Sequence, residues 1–260
     1  MVAIGGGTGL STLLRGLRRH VSAPGESPAA TSAIADLAAV VTVTDDGGSS
    51  GRLRQDFNML PPGDLRNCMI ALSEEEDLLT RLFAHRFRGG SGLQGHSFGN
   101  LFVADLTEIT GDFAQAVQLA SKILATRGRI YPATTANTTL VAKMDDGSIV
   151  RGETKITASR QRIVELTFDP PHPTPVPETL EAIERADLIT VGPGSLYTSL
   201  ITSLLVDGVP EALAHAPAAL GHQRNHIGCG GLAVIADEVR MLLGEAGAAD
   251  AQAAAAGFVQ

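Results

Sequence analysis

The sequence predicts an α/β fold: a Rossmann-like, doubly wound, mostly parallel sheet with an added β-hairpin. Three observations predict it. Short apolar runs rich in β-branched residues alternate with segments of helical periodicity, the pattern of βαβ units. Three of those runs, ending near Ile4, Thr44 and Val191, pass through glycine-rich turns into helices. One pair of β-rich runs is instead joined by Asp145-Asp146-Gly147, a hairpin-turn sequence.

Taken in order, "MVAI" is the first strand, and "LSTLLRGLRRH" is a helix because Leu10, Leu13, Leu14 and Leu17 fall on one face. Residues 21–33 read as a polar, proline-broken loop before a second strand, Leu37 to Thr44. From Pro61, "PPGDLRNCMIALS" opens a helix in which Asp64 is placed to cap or to complement the dipole. "LLTRLFAHRF" is a further amphipathic helix, and the glycine-rich "SGLQGHSFGN" leads into the helix "LFVADLTEIT". Gly111 ends that helix, and Asp112 caps the next, "FAQAVQLASKILATRG", which the pattern carries to Gly128.

"TTLVAKMDDGSIVRGETKIT" is the hairpin and "RIVELTF" another strand. "PPHPTPV" is a stiff connector, "PETLEAIERA" a helix with Pro at its start, and "DLITV" a buried strand feeding "GPGSLYTSLITSLLV". The expected organisation is a single domain over residues 1–245, with an alanine-rich, disordered tail over 246–260.

Composition narrows the function. The formal net charge of -8 sets nucleic acid and anionic membrane aside as principal partners, while local arginine groups (Arg52, Arg54 and Arg66; Arg15, Arg18 and Arg19) suit small anions. Two cysteines, Cys68 and Cys229, are too few for a disulfide scaffold and fit a reducing cytoplasm. No basic n-region or long apolar segment marks the start of the sequence. His215, His222, His226 and Cys229 lack paired metal-ligand spacing and read as a solvated loop.

In a parallel sheet, ligands sit beyond the carboxyl ends of the strands, where helix N-termini offer free N–H groups. "IGGGTGLS", "TDDGGSSGRLR" and "VGPGSLYTS" would all open onto that edge. In the first, Gly6, Gly7 and Gly9 let backbone approach an anion, and Thr8 adds a hydroxyl. It is neither G-x-G-x-x-G nor a P-loop.

In the second, Asp45 and Asp46 suit Mg²⁺ beside a diphosphate or, as in dinucleotide-binding proteins, ribose hydroxyls. Gly47 to Gly51, including Gly48, Ser49 and Ser50, read as a nest-like loop, with Arg52 placed to pair with phosphate. "GHSFGN" puts His96 and Asn100 four residues apart, and "PPGDLRN" adds Asp64, Arg66 and Asn67. Gly194 and Ser195 contribute the third turn. Asp45, Asp46 and His96 are the candidates for catalysis, though no nucleophile–base set is assembled in the sequence. The second Asp-Asp-Gly, at 145–147, stops where its turn is complete and reads as a turn only.

Together "IGGGTGLSTLLRGL", "VTVTDDGGSSGRLR", "LPPGDLRNCMIAL", "GHSFGNLFVADLTEITGDFAQAV", "RGRIYPAT" and "DLITVGPGSLYTSLITSLLV" resemble the bacterial gluconeogenesis factor family over about residues 1–213. That family is cytoplasmic, binds UDP-sugars, serves cell shape on gluconeogenic carbon sources, and is related to 2-phospho-L-lactate transferase. The resemblance implies a nucleotide-sugar site, with UDP-N-acetylglucosamine or another nucleotide as ligand. It carries a binding role onto Gly6, Gly7, Thr8, Asp45, Asp46, Ser49, Arg52, His96, Asn100, Gly194 and Ser195.

In the related transferase an aspartate loop lies near metal and transferred group, so Asp45 and Asp46 look like its counterparts. A Mg²⁺-dependent transferase and an NAD(P)-binding protein are the alternatives, and a homo-oligomer is compatible with all three. After about Leu213 the sequence departs from the family pattern, so an atypical or truncated C-terminal part is expected.

Overall fold

The structure is a computed structural model, described here over residues 1–22, 33–73 and 78–217. Most of the loop expected at 21–33, the alanine-rich tail, and His222, His226 and Cys229 therefore lie outside the described residues.

Four parallel strands form the main sheet in the order β3-β2-β1-β7: β1 is Val2–Gly5, β2 Ala38–Val41, β3 Arg129–Pro132 and β7 Ile189–Val191. β1 lies between β2 and β7, pairing Ile4 with Val40 on one side and with Val191 on the other. The strands are apolar on both faces because both are covered. Val2, Ile4, Ala38 and Val40 enter one core, and Ala3, Ala39 and Val41 enter the core on the opposite face. The two-residue side-chain period of a strand makes this division.

The second core is closed by helices α1 (Gly7–Leu17), α3 (Gly63–Leu72), α4 (Leu78–Ala84), α5 (Phe98–Thr110) and α6 (Phe113–Ile123), with Leu10, Leu14, Leu65, Met69, Leu72 and Phe83 among its fully buried side chains. α2 (Gly48–Phe57) follows β2 and ends at Asn58 in the left-handed conformation. The first core is closed by α8 (Pro177–Glu184), α9 (Thr202–Leu204), α10 (Val209–His215) and a separate antiparallel sheet. In that sheet β4 (Thr139–Met144) pairs with β5 (Ile149–Arg151) and with β6 (Ile163–Asp169).

The capping chemistry agrees with the sequence where the signal is local. Gly111 ends α5 with φ 68°, and Asp112 accepts a hydrogen bond from the Gln115 N–H at 3.0 Å to start α6. Asp145-Asp146-Gly147 is a plain turn, with the Gly147 N–H donating to Met144 O and Asp146 Oδ1 accepting from the Ser148 N–H.

Four expectations are corrected. α1 begins at Gly7, inside the glycine-rich turn, so those glycines are helix as well as loop. α6 stops at Ile123 rather than Gly128, because Ala125 takes a left-handed φ of 47° and breaks the ladder. The residues after β5 leave the hairpin at Gly152 and form a short helix, α7 (Glu153–Ala158). The helix after β7 opens with a π-helical segment, Leu196–Ile201. Among the described residues no helix is long and apolar enough to cross a membrane.

Candidate functional site

Parallel strands place all their carboxyl ends on one rim, and β2, β1 and β7 are neighbours. The three glycine-rich turns therefore open side by side. Direct approach joins the first and third: a Cβ added at Gly9 would collide with the carbonyl oxygen of Pro193. Gly9 thus also serves close packing between turns, a demand for glycine that is independent of any anion contact. Gly194 and Ser195 are exposed beyond it, and the Ser195 hydroxyl caps the π-helical segment at the Thr198 N–H.

The first turn meets α3 through Asp64. A Cβ at Gly6 would lie 3.2 Å from Asp64 Oδ2, and the Gly7 N–H, in a residue with φ +62°, donates to the Asp64 carboxylate. Asp64 therefore serves the N-terminus of α1 rather than capping its own helix. Neither α1 nor α2 has a side-chain cap at its N-cap glycine, Gly6 or Gly47. Thr8 is exposed on the first turn of α1, and its carbonyl takes the hydroxyls of Ser11 and Thr12.

The second turn divides its two acids. Asp45 Oδ1 accepts from the Gly47 N–H at 2.9 Å, and its other oxygen lies against Gly63, beside Ser50. Asp46 Oδ1 instead accepts from the Thr154 N–H at 2.9 Å and from the Thr154 hydroxyl, which ties β2 to the start of α7. The expected nest over Gly47 to Gly51 is the first turn of α2, where Gly48 is exposed with φ +48°.

Asp45 is joined by an acid that sequence reasoning missed. Glu153, first residue of α7, accepts from the Thr44 hydroxyl at 2.9 Å and from Thr198, bridging the turn after β2 and the π-helical segment after β7. Burial, then the charges of Asp45 and Glu153, raise Asp64 to about 7. Burial raises Glu153 to about 7 too, with Asp45 and Asp46 adding to it against the hydrogen bond from Thr44. The available signal was Gly152-Glu153-Thr154, a glycine and a first-turn acid suited to starting a helix, hidden within a β-rich run.

On the other side of Asp45, Ser49, His96 and Asn100 form a buried network. Asn100 Nδ2 donates to Ser49 Oγ at 3.1 Å, and Ser49 Oγ lies 2.9 Å from His96 Nδ1. Burial, then Arg52 and Arg86, hold His96 below its ordinary value, which favours the neutral ring, whose Nδ1 can accept the serine hydrogen. Asn100 sits in the first turn of α5, whose cap is Ser97. Arg52 is exposed and donates to Gln94 O at 2.8 Å; Asn67 accepts from Arg66. Beside α2 a cleft of about 700 Å³ is lined by Gly48, Arg54, Arg151 and Lys155.

The rim thus brings together Gly6, Gly7, Gly9, Asp45, Ser49, Ser50, Asp64, His96, Asn100 and Gly194, while Asp46 turns toward α7. That orientation bears on the expected Mg²⁺: Asp45 and Asp46 do not face one point, and among the described residues no three His, Cys, Asp or Glu side chains group closely enough to hold a metal ion.

Fold and rim together define a class, a parallel α/β protein of Rossmann type with a polar cluster at the carboxyl edge of its sheet. The family described as 2-phospho-L-lactate transferase CofD matches residues 1–243, and the chain belongs to that family. A gluconeogenesis factor from Bacillus subtilis is 49% identical over 214 residues, covering 82% of this chain and 63% of its own length. One from Halalkalibacterium halodurans is 48% identical over 218 residues, covering 84% and 64%. The chain spans 45% of the Nostoc relative, with 51% identity. The crystal structure of a Bacillus halodurans protein superposes with TM-score 0.76 at 48% identity, covering 84% of this chain and 66% of that one.

Proposed function

We propose that this chain is a cytoplasmic gluconeogenesis factor that binds a nucleotide sugar, UDP-N-acetylglucosamine or another nucleotide, and links carbon supply to cell-wall precursors and cell shape. The observation that carries the binding reading is the convergence of two helix N-termini, α1 and α2, on one rim, each begun by a glycine that has no capping side chain of its own, with Asp64 and Asp45 each taking one N–H there. The remaining first-turn N–H groups and the positive end of each helix dipole favour phosphate. The adjacent acids, Asp45, Asp64 and Glu153, suit the hydroxyls of a ribose or sugar. Names borne by relatives that the chain matches in part support the biological role.

Calorimetric titration of the full chain with UDP-N-acetylglucosamine tests it. Saturable binding with a raised unfolding temperature is expected; no heat and no thermal shift at millimolar ligand would reject it. Competition with NAD reports whether a dinucleotide shares the pocket.

A transferase reading has its own support in Asp64 and Glu153, two acids held near neutrality where a carboxyl exchanges protons readily. It predicts Mg²⁺-dependent release of nucleotide from a donor, abolished in Asp45→Asn.

A further inference from the structure

Arg66 is 8% exposed, and its guanidinium has one hydrogen-bond partner among the described residues, Asn67 Oδ1 at 2.5 Å from Nη2. Among the described residues its Nε–H has no acceptor. Among the described residues no carboxylate stands at ion-pair distance from it; Asp64 and Asp45 act on it only through space. A buried guanidinium with neither counter-ion nor full hydrogen bonding is a large unfavourable element unless something else supplies the acceptor.

Its surroundings sharpen the deficit. Arg86, which donates to Gly95 O, repels Arg66, and Arg52 donates to the preceding carbonyl, Gln94 O. Asp56 is the acid whose charge is felt on this side, at His96. The stem of Arg66 is pressed onto α5: a Cβ at Gly99 would lie 2.9 Å from its Cγ and Cδ. The next residue, Asn100, is 2% exposed, and among the described residues its side-chain oxygen has no donor. An unfilled donor and an unfilled acceptor thus sit in one wall, beside the first turn of α2.

We propose that Arg66 receives an anionic group of the ligand, a phosphate or a carboxylate, with Arg86 and Arg52 supplying the surrounding positive potential and Asn100 Oδ1 taking a hydrogen from the same molecule. This rests on the nucleotide-binding reading, in which the anion is one of the ligand's phosphates. A fork-shaped guanidinium suits both oxyanions.

The test titrates the full chain with inorganic pyrophosphate, with malonate and with UDP-N-acetylglucosamine, in wild type, Arg66→Gln and Arg66→Lys. Pyrophosphate is expected to bind wild type, to weaken at least tenfold in Arg66→Gln and to be rescued in part by Arg66→Lys. The unfolding temperature of unliganded Arg66→Gln should hold or rise, since an unpaired charge is removed; a purely structural arginine would lower it. Stronger binding of malonate than of pyrophosphate would assign the site to carboxylates.

Pyrophosphate affinity within twofold of wild type in Arg66→Gln overturns the proposal, as does wild type that binds neither anion. Should Arg66→Gln not fold, the ¹⁵Nε resonance of Arg66 in wild type decides: it shifts at saturating pyrophosphate, or the assignment is wrong. UDP-N-acetylglucosamine bound equally by wild type and Arg66→Gln would defeat this inference alone. Loss of pyrophosphate in that variant, with no binding of the nucleotide sugar by wild type, would defeat the nucleotide-sugar reading alone.

Discussion

Asp45 and Asp46 are covalent neighbours whose carboxylates part company: Asp45 faces Gly47 and Gly63 within the rim, and Asp46 accepts from Thr154 at the start of α7. The two substitutions should therefore separate. Asp46→Ala removes a cross-element cap and is expected to cost about 1 kcal/mol of stability, with little change in UDP-N-acetylglucosamine affinity. Asp45→Asn should leave stability unchanged or raise it, by relieving the repulsion on Asp64, and should weaken binding. Urea denaturation and calorimetry on both variants check this; equal stability losses would contradict the division.

Asp64 and Glu153 set a pH dependence. Their folded-state values, about 7, lie above the roughly 4 of an unfolded carboxylate, so between those limits the folded state binds more protons. Their contribution to stability is full below about pH 4 and declines as pH rises to about 7. The urea midpoint of Asp64→Asn/Glu153→Gln should exceed that of wild type at pH 8, with the gap closing toward pH 5. A gap independent of pH would show that the two acids ionise normally.

His96 carries the opposite sign. Its value is lowered in the fold, so the unfolded chain binds the proton more readily, and stability falls as pH drops through the ordinary histidine range. NMR titration of the ring should give a midpoint below 6.5. Ser49→Ala should cost about 2–3 kcal/mol through the loss of two buried hydrogen bonds. A midpoint at or above the ordinary value would remove the neutral ring from this network.

Gly9 is predicted to matter for stability before it matters for affinity. Gly9→Ala forces a methyl against the Pro193 carbonyl and is expected to cost about 1–3 kcal/mol, seen as a lowered unfolding temperature. An alanine variant that unfolds like wild type would mean that the two turns are not in contact.

The sequence by itself determined the alternation of strands and helices, the single rim onto which three glycine-rich turns open, and the harmless character of the second Asp-Asp-Gly. The first and third follow from interactions within a few residues, namely side-chain period, an Asp cap and a glycine at positive φ, and the rim follows from the rule that alternating strands and helices build a parallel sheet. The same local logic misjudged the segment after β5, where a β-rich run breaks at Gly152 into α7.

What only the tertiary structure decided is the division of labour among the acids and the state of the arginines. Glu153 meets Thr44 across 109 residues, Asp46 meets Thr154 across 108, and the unfilled Nε–H of Arg66 among the described residues is visible only once its neighbours are in place. The reason is physical: burial and charge proximity set these properties, and both arise from which distant segments pack together rather than from the order of residues along the chain.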